Sequence, residues 1–126
     1  AFVPQLSLVS ESDSKIVGHI LFTKIHIGSN EALALAPLAV SPEHQCQGIG
    51  MALIKEGHKI AKELGFQYSV VLGSENYYPK AGYIPAINLG IKAPFEVPEQ
   101  NFMAIDLYGG NAIIEGVVEY AKEFGI

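Results

Sequence analysis

The chain has 126 residues, 49% of them apolar and 17% charged, which is the composition of one compact domain and leaves no room for a second. The formal net charge is −5 and the acidic residues are scattered, so the basic patch of a nucleic-acid-binding protein is absent and we expect no nucleic-acid partner. The single cysteine, Cys46, excludes an intramolecular disulfide, and no apolar run approaches about 18 residues, so we expect no membrane span and a reducing, cytoplasmic location.

The first third of the sequence predicts a sheet. Two segments with strand character, Gln5 to Val9 and Lys15 to Ile27, are separated by a polar turn. A third segment, Ala32 to Val40, is apolar throughout, which is typical of a central strand buried on both faces. Because Pro37 inside this segment cannot donate a ladder hydrogen bond, we expect a bulge there or a place where neighbouring strands part.

A helix and a further strand follow. Apolar residues recur at three- and four-residue spacing from Leu53 to Leu64, and Gly65 supplies the expected left-handed cap. The valine-rich segment Tyr68 to Leu72 predicts a strand, and the order strand, helix, strand implies a parallel crossover within an α/β core. The rest of the chain predicts two strands, Tyr83 to Ile91 and Asn101 to Leu107, and a short strand or helix over Ala112 to Phe124.

The segment between the buried strand and the helix, Gln45 to Gly50, has the features of an anion site. Small residues let the main chain approach a ligand, and the first turn of the helix leaves N–H groups without intrahelical partners. The segment is not a P-loop, because Met51 and Ala52 follow it where a lysine and a hydroxyl residue are needed. It is not a dinucleotide fingerprint either, since Leu53 stands where a third glycine is needed.

The pattern Gln-x-x-Gly-x-Gly, placed after "LAVSPEH" and before an amphipathic helix, resembles the acetyl-CoA signature of the GNAT superfamily of N-acetyltransferases. The resemblance implies an α/β fold with a mixed central sheet, splayed at the CoA-binding strand, and with flanking helices. It also implies that loop N–H groups wrap the CoA pyrophosphate and that strand residues pair with the pantetheine arm. The CoA-binding residues implied in this way are Leu38, Ala39 and Val40 on the strand, and Gln45, Cys46, Gln47, Gly48, Ile49, Gly50 and Met51 in the loop. Cys46 stands where glycine is frequent, and we interpret it as a passive loop residue.

A second segment, Glu75 to Tyr83, resembles the family's Tyr-x-x-x-Gly-Phe/Tyr motif. By this resemblance Tyr78 aligns with the tyrosine that commonly faces the CoA sulfur, and Asn76 lies where an amide often contacts the cofactor. We expect Tyr78 to be the catalytic acid, since a phenol with a pKa of about 10 stays protonated and matches the basicity of the departing thiolate. Tyr77 is interpreted as an amphipathic residue at the edge of the core.

The resemblance implies an enzyme that transfers an acetyl group from acetyl-CoA, its cosubstrate, to a primary amine by direct attack. A main-chain N–H near Leu38 is the expected oxyanion donor. Candidates for the base are Glu31, His26 and Glu75, and a water chain is an equal alternative. No metal is expected, because the four histidines show no ligand spacing. The acceptor, a small-molecule amine or a protein amine, stays open, as does a homodimer.

Two other interpretations stay open. One is a CoA-binding regulatory or interaction module that catalyses nothing, and the other is a structural or partner-binding domain whose glycine loop is only a tight turn. Residues 82–107, with "EGVVEYAKEF" after them, are similar to a YhbS-like bacterial subgroup of small GNAT proteins. The chain starts at Ala1 rather than Met, and the family's opening strand and two helices have no counterpart before it. We therefore expect residues 1–126 to form a single acetyltransferase (GNAT) domain that lacks an N-terminal piece.

Overall fold

The structure, a computed structural model, describes residues 2–120 and opens with three antiparallel strands. These are β1 (Phe2–Ser12), β2 (Lys15–Ile27) and β3 (Asn30–Val40). All three predicted strands are confirmed, and the bounds of β2 are those predicted. β1 is longer than predicted at both ends, because its backbone pairing with β2 includes Phe2 and continues through the polar residues Ser10 to Ser12, which an apolar pattern does not mark.

β3 contains a bulge at Pro37. Ile20 of β2 lies opposite Leu38, whereas Phe22, two residues further along β2, lies opposite Leu35. β3 therefore holds one more residue than β2 over this interval, and the peptide bond before Pro37 is cis. The predicted bulge is confirmed, and its cause is the missing N–H of the proline.

β3 also parts from its other neighbour close to the bulge. β4 (Tyr68–Leu72) runs parallel to β3 and pairs with it at Leu33 and Ala34. No pairing with β4 is present from Leu35 to Val40 of β3, although both strands continue in this direction. The predicted parting of the strands is thus confirmed, and one edge of β3 is left open.

α1 (Ile49–Glu63) connects β3 to β4 and packs on the sheet through a close contact. A Cβ atom added at Gly57 would lie 2.3 Å from Cε1 of Phe22, so a glycine is required where the helix crosses β2. Gly65 follows the helix with φ +91°, and its N–H donates to the carbonyl of Lys62 at 3.0 Å. The predicted left-handed cap is therefore confirmed.

The remaining strands are β5 (Ile84–Pro85), β6 (Ile91–Lys92), β7 (Phe102–Asp106) and β8 (Gly116–Glu119). The sheet has the order β5-β7-β4-β3-β2-β8-β6, with β1 on the same edge of β2 as β8. The predicted continuous strand from Tyr83 to Ile91 is wrong. A 3-10 helix at Ala86–Leu89 interrupts it. Ala86 and Leu89, the first and last residues of this helix, are both buried, and their three-residue spacing matches one turn of a 3-10 helix. The predicted element over Ala112 to Phe124 contains β8, and its residues after 120 lie outside the described residues.

Apolar side chains cover both faces of the sheet. On the α1 face, the buried residues include Leu6, Ile20, Phe22, Leu33, Leu53 and Ile54. On the other face, they include Ile25, Ile27, Ala32, Val70, Leu89 and Ile91. The result is a mixed sheet with one main α-helix, as the predicted α/β class requires. No helix within residues 2–120 has the length and apolar character needed to cross a membrane.

Candidate active site

A cleft of about 630 Å³ lies beside the open edge of β3. The end of β3, the loop after it, the start of α1 and the segment around Tyr77 form its walls. It brings together most of the residues predicted to bind CoA, namely Leu38, Val40, Gln45, Cys46, Gly48, Ile49, Gly50 and Met51. His44, Lys55, Tyr77 and Lys80 also line it. The cleft therefore forms where residues 38–55 and residues 77–80 meet beside the gap between β3 and β4.

Side-chain hydrogen bonds hold the loop between β3 and α1. The amide Nε2 of Gln45 donates to the carbonyl of Val40 at 3.1 Å, which ties the loop to the last residue of β3. The hydroxyl of Ser41 lies 2.8 Å from Nδ1 of His44 across a 3-10 turn, and the N–H of Ser41 donates to the carbonyl of Val17 on β2. The first glutamine of the Gln-x-x-Gly-x-Gly pattern thus has a structural task at the strand end.

Two residues of this loop have left-handed backbone conformations. Cys46 has φ +64° and Gly48 has φ +81°. A residue with a Cβ rarely adopts such a φ, so the glycine that is frequent at position 46 in the resembling family has a local physical reason. The Cys46 side chain is exposed on the cleft wall, and the assignment of Cys46 to cofactor binding stays a prediction.

The start of α1 presents unpaired donors to the cleft. The first intrahelical bond runs from the N–H of Ala52 to the carbonyl of Gly48 at 2.9 Å, so the N–H groups of Ile49, Gly50 and Met51 have no partner within the helix. No side chain caps this end. The positive end of the helix dipole lies here too, and the arrangement favours an anion.

Tyr77 is in direct contact with α1. A Cβ atom added at Gly50 would lie 2.4 Å from the phenol oxygen of Tyr77, so the hydroxyl lies against the first turn of the helix. Burial raises the pKa of Tyr77, and the phenol stays protonated at neutral pH. Sequence reasoning placed Tyr77 at the edge of the core and missed its position on the cleft wall. The one available signal was a pair of successive tyrosines, whose side chains must leave the backbone in different directions.

Tyr78 packs behind the cleft wall and does not line the cleft. A Cβ atom added at Gly73, just after β4, would lie 2.4 Å from Cε2 of Tyr78. The Tyr78 ring also makes T-shaped contacts with the rings of Tyr77 and Tyr83. The side chain is partly buried, burial raises its pKa, and neighbouring Tyr77 adds to the rise. The assignment of Tyr78 as the catalytic acid stays a prediction.

The other predicted residues that do not line the cleft are Ala39, Gln47 and Asn76. Ala39 is exposed on the face of β3 opposite to Leu38 and Val40, as strand alternation requires. The Gln47 amide donates to the carbonyl of Glu43 at 3.5 Å, and Asn76 is exposed, with its N–H bonded to Ser74 Oγ at 3.1 Å. Contacts from the main chain of Ala39 and Gln47, and from Asn76, stay predictions.

The base candidates do not lie together. His26 and Glu31 face each other at the far end of β2 and β3, about 23 Å along the strand from Leu38, and Glu31 pairs with Lys24 at 3.8 Å. Glu75 follows β4 at the end of the sheet where the cleft opens, and its Oε2 accepts a hydrogen bond from Nδ2 of Asn101 at 2.5 Å. In the part of the chain that the structure describes, no cluster of three His, Cys, Asp or Glu residues could hold a metal ion.

The sequence is similar to those of known proteins. The profile of the family described as "Acetyltransferase (GNAT) family" matches residues 2–83. The chain is similar to the uncharacterised N-acetyltransferase YjhQ of Escherichia coli K12, with 42% identity over 103 aligned positions. These positions cover 78% of this chain and 57% of YjhQ, so the chain spans less than two thirds of that relative.

Known structures share the fold. The chain is similar to the GNAT family N-acetyltransferase YhbS from Escherichia coli, solved in complex with CoA, with a TM-score of 0.87 and 25% identity. This similarity covers 95% of this chain and 69% of YhbS. A GNAT family acetyltransferase from Brucella melitensis, solved in complex with acetyl-CoA, matches with a TM-score of 0.74 and 31% identity, over 94% of this chain and 67% of that one.

Proposed function

The chain belongs to the acetyltransferase (GNAT) family, and on this basis we propose that it binds acetyl-CoA in the cleft beside β3 and transfers the acetyl group to an amine. The observation that carries the proposal is the meeting of an open strand edge, a helix N-terminus and the Tyr77 hydroxyl at one cleft. The structures of YhbS from Escherichia coli with CoA and of the Brucella melitensis acetyltransferase with acetyl-CoA support the choice of ligand. Acetyl-CoA supplies an acetyl group activated as a thioester.

The phosphate end of this ligand fits the start of α1. The unpaired N–H groups of Ile49, Gly50 and Met51 provide donors for a diphosphate, and the left-handed residues Cys46 and Gly48 turn the loop around the same point. Because these donors belong to the main chain, their positions are fixed by the helix and lose little entropy when a ligand binds.

The amide-containing arm of the ligand fits the open edge of β3. β2 pairs with Leu38, Ala39 and Val40 along one edge, and β4 leaves the other edge unpaired. An extended chain with amide groups can bond to such an edge as an additional strand. The bulge at Pro37 lies at the end of this edge, and a main-chain N–H near Leu38 is the proposed donor to the oxyanion that forms during transfer.

Tyr78 is the proposed acid that protonates the departing thiolate. Burial raises the pKa of Tyr78, so the phenol keeps its proton at neutral pH until a strong base such as a thiolate forms. Replacing Tyr78 by Phe is expected to slow acetyl transfer by about 100-fold or more, with the Kd for acetyl-CoA close to normal. The matched variant is Tyr77→Phe, which removes the hydroxyl on the cleft wall beside Gly50 and is expected to change the Kd more than the rate. If Tyr77→Phe loses turnover and Tyr78→Phe keeps it, the acid is Tyr77.

The acceptor proposed is a primary amine, on a small molecule or on a protein, and the net charge of −5 favours a cationic one. A location in the reducing cytoplasm is part of the proposal, because the exposed Cys46 is the single cysteine of the chain.

The test has two readouts. Acetyl-CoA is expected to raise the melting temperature, since it binds the folded state and not the unfolded chain. Release of free CoA thiol is then measured with a panel of amines that includes polyamines, lysine-containing peptides and peptides with a free N-terminus. An unchanged melting temperature would contradict the proposed ligand. Binding without thiol release across the panel would favour a non-catalytic CoA-binding module.

A further inference from the structure

Two lysines stand on the wall of the cleft, on different elements. Lys55 belongs to α1, and Lys80 belongs to the 3-10 helix at Tyr78–Ala81. Both side chains are exposed, and neither forms an ion pair with any residue between 2 and 120. Lys24, by contrast, lies 3.8 Å from Glu31. The two ammonium groups at the cleft are therefore available to an anionic ligand.

The cleft is a positive site on an acidic chain. The chain has a net charge of −5, yet no aspartate or glutamate is among the described residues that line the cleft. Lys55, Lys80 and the N-terminus of α1 all contribute positive potential there. Because the chain contains no arginine, lysine is the permanently charged side chain available to it for holding a phosphate.

The lysines lie beyond the loop that is proposed to hold the diphosphate. Lys55 follows Gly50 by five residues, which is about 7.5 Å along the helix axis. Lys80 lies three residues after Tyr77, whose hydroxyl touches the first turn of α1. The diphosphate already has the main-chain donors at Ile49 to Met51. CoA carries a third phosphate, which is a separate dianion on the 3′ position of its ribose.

We propose that Lys55 and Lys80 bind the 3′-phosphate of CoA, so that the protein selects acetyl-CoA over its 3′-dephospho form. The inference rests on the proposed function, because it places CoA in the same cleft. Two ammonium groups from separate elements can meet different oxygens of one phosphate, and each bond is charge-assisted. Since both side chains are exposed, the selection weakens as salt rises.

The experiment compares two ligands and four proteins. Acetyl-CoA and 3′-dephospho-acetyl-CoA are titrated by calorimetry against the wild type, Lys55→Gln, Lys80→Gln and the double variant, at low and at high salt. The wild type is expected to bind acetyl-CoA about tenfold more tightly than the dephospho ligand at low salt. Each single variant is expected to lose part of this preference, and the double variant is expected to bind both ligands equally.

Lys59→Gln is the matched control. Lys59 lies one turn after Lys55 on α1, is exposed and does not line the cleft, so its variant is expected to keep the wild-type preference. The inference is overturned if the wild type binds the two ligands with the same Kd. It is also overturned if the lysine variants weaken both ligands by the same factor, since the lysines then act on a group that the ligands share. If the wild type binds neither ligand, the proposed function itself fails and this inference falls with it.

Discussion

Nε2 of His58 on α1 lies 3.0 Å from the phenol oxygen of Tyr83, so a hydrogen bond joins the helix to the segment that carries the tyrosine pair. The same oxygen is 2.8 Å from Oγ of Ser69 on β4. Tyr83 is 1% exposed, and its ring makes a T-shaped contact with that of Tyr78, with centroids 5.9 Å apart. Hydrogen bonds from His58 and Ser69 thus position Tyr83, which packs against the proposed acid Tyr78. Burial raises the pKa of Tyr83 and lowers that of His58 to about 4.

The low pKa of His58 predicts loss of stability in mild acid. The native state binds fewer protons than the unfolded state between the folded pKa of about 4 and the unfolded value of 6.5. The contribution is therefore complete above pH 6.5 and is lost as the pH falls through 4. Its full size is about 3 kcal/mol of unfolding free energy. Urea unfolding at several pH values is expected to show a shallower dependence for His58→Gln than for the wild type. His26→Gln, an exposed position on β2, is the control, and identical slopes for His58→Gln and the wild type would contradict the prediction.

Removal of the shared phenol oxygen is expected to destabilise the protein. Tyr83→Phe keeps the ring but leaves the buried Ser69 hydroxyl and His58 without this partner, at a cost of about 1–3 kcal/mol. A double-mutant cycle with Ser69→Ala is expected to give non-additive free energies of unfolding, because the two hydroxyl groups form one bond. Tyr108→Phe removes an exposed bond to the carbonyl of Gly65 and is the control, with a small expected effect. Additive losses in the cycle would show that the two hydroxyl groups act independently.

The fold was predictable where a local rule decides the structure. β2 and β4 have the predicted bounds, because strand patterns at these positions agree with their tertiary pairing. Pro37 indicated the bulge because a proline lacks an N–H wherever it stands. The prediction of a strand over Tyr83 to Ile91 was wrong, because its apolar residues fit both the two-residue spacing of a strand and the three-residue spacing of a 3-10 helix. Burial of Ala86 and Leu89 favours the 3-10 helix.

The sequence indicated which main-chain segments line the cleft, but not how the side chains are arranged around it. Glycines and a helix start indicate the anion loop, since these features are local. The positions of Tyr77 and Tyr78 depend instead on contacts with Gly50 and Gly73, which belong to other elements. Lys55 and Lys80 look like solvated lysines in the sequence, and their shared place on the cleft arises from the packing of α1 against the tyrosine segment. In both cases, the tyrosines and the lysines, tertiary contacts determine where the side chains lie.

Cys46 is expected to react more slowly with thiol reagents when acetyl-CoA is bound. The side chain is exposed and lines the cleft, so a ligand in the cleft covers it. The rate of reaction with DTNB is measured with and without acetyl-CoA, and with 3′-dephospho-acetyl-CoA as a second ligand. Prior alkylation with N-ethylmaleimide is expected to weaken acetyl-CoA binding by about tenfold or more, because the adduct occupies the loop.

Cys46→Gly is the control for this reaction. Position 46 has φ +64°, which glycine adopts without the strain that a Cβ causes, so the variant is expected to gain about 0.5–1 kcal/mol of stability. It is also expected to bind acetyl-CoA normally and not to react with DTNB or N-ethylmaleimide. A thiol that reacts at the same rate with and without acetyl-CoA would place the ligand away from Cys46.

The contact between Gly50 and Tyr77 predicts a rescue. In Gly50→Ala the new Cβ would lie 2.4 Å from the phenol oxygen, so Tyr77 must move, and we expect a loss of about 1–3 kcal/mol of stability and weaker acetyl-CoA binding. In the double variant with Tyr77→Phe the nearest ring atom is Cζ at 3.6 Å, an ordinary contact. We therefore expect the double variant to have nearly the same stability and the same affinity for acetyl-CoA as the single variant Tyr77→Phe.

Gly65→Ala separates this steric effect from backbone strain. Gly65 has φ +91° and no atom within 4 Å of an added Cβ, so its alanine variant is expected to lose about 1–2 kcal/mol through its backbone alone. Tyr77→Phe is not expected to restore that loss. Melting temperatures and acetyl-CoA titrations of the five variants measure both effects. If Tyr77→Phe fails to rescue Gly50→Ala, the hydroxyl does not lie against α1, and the wall of the cleft is formed in another way.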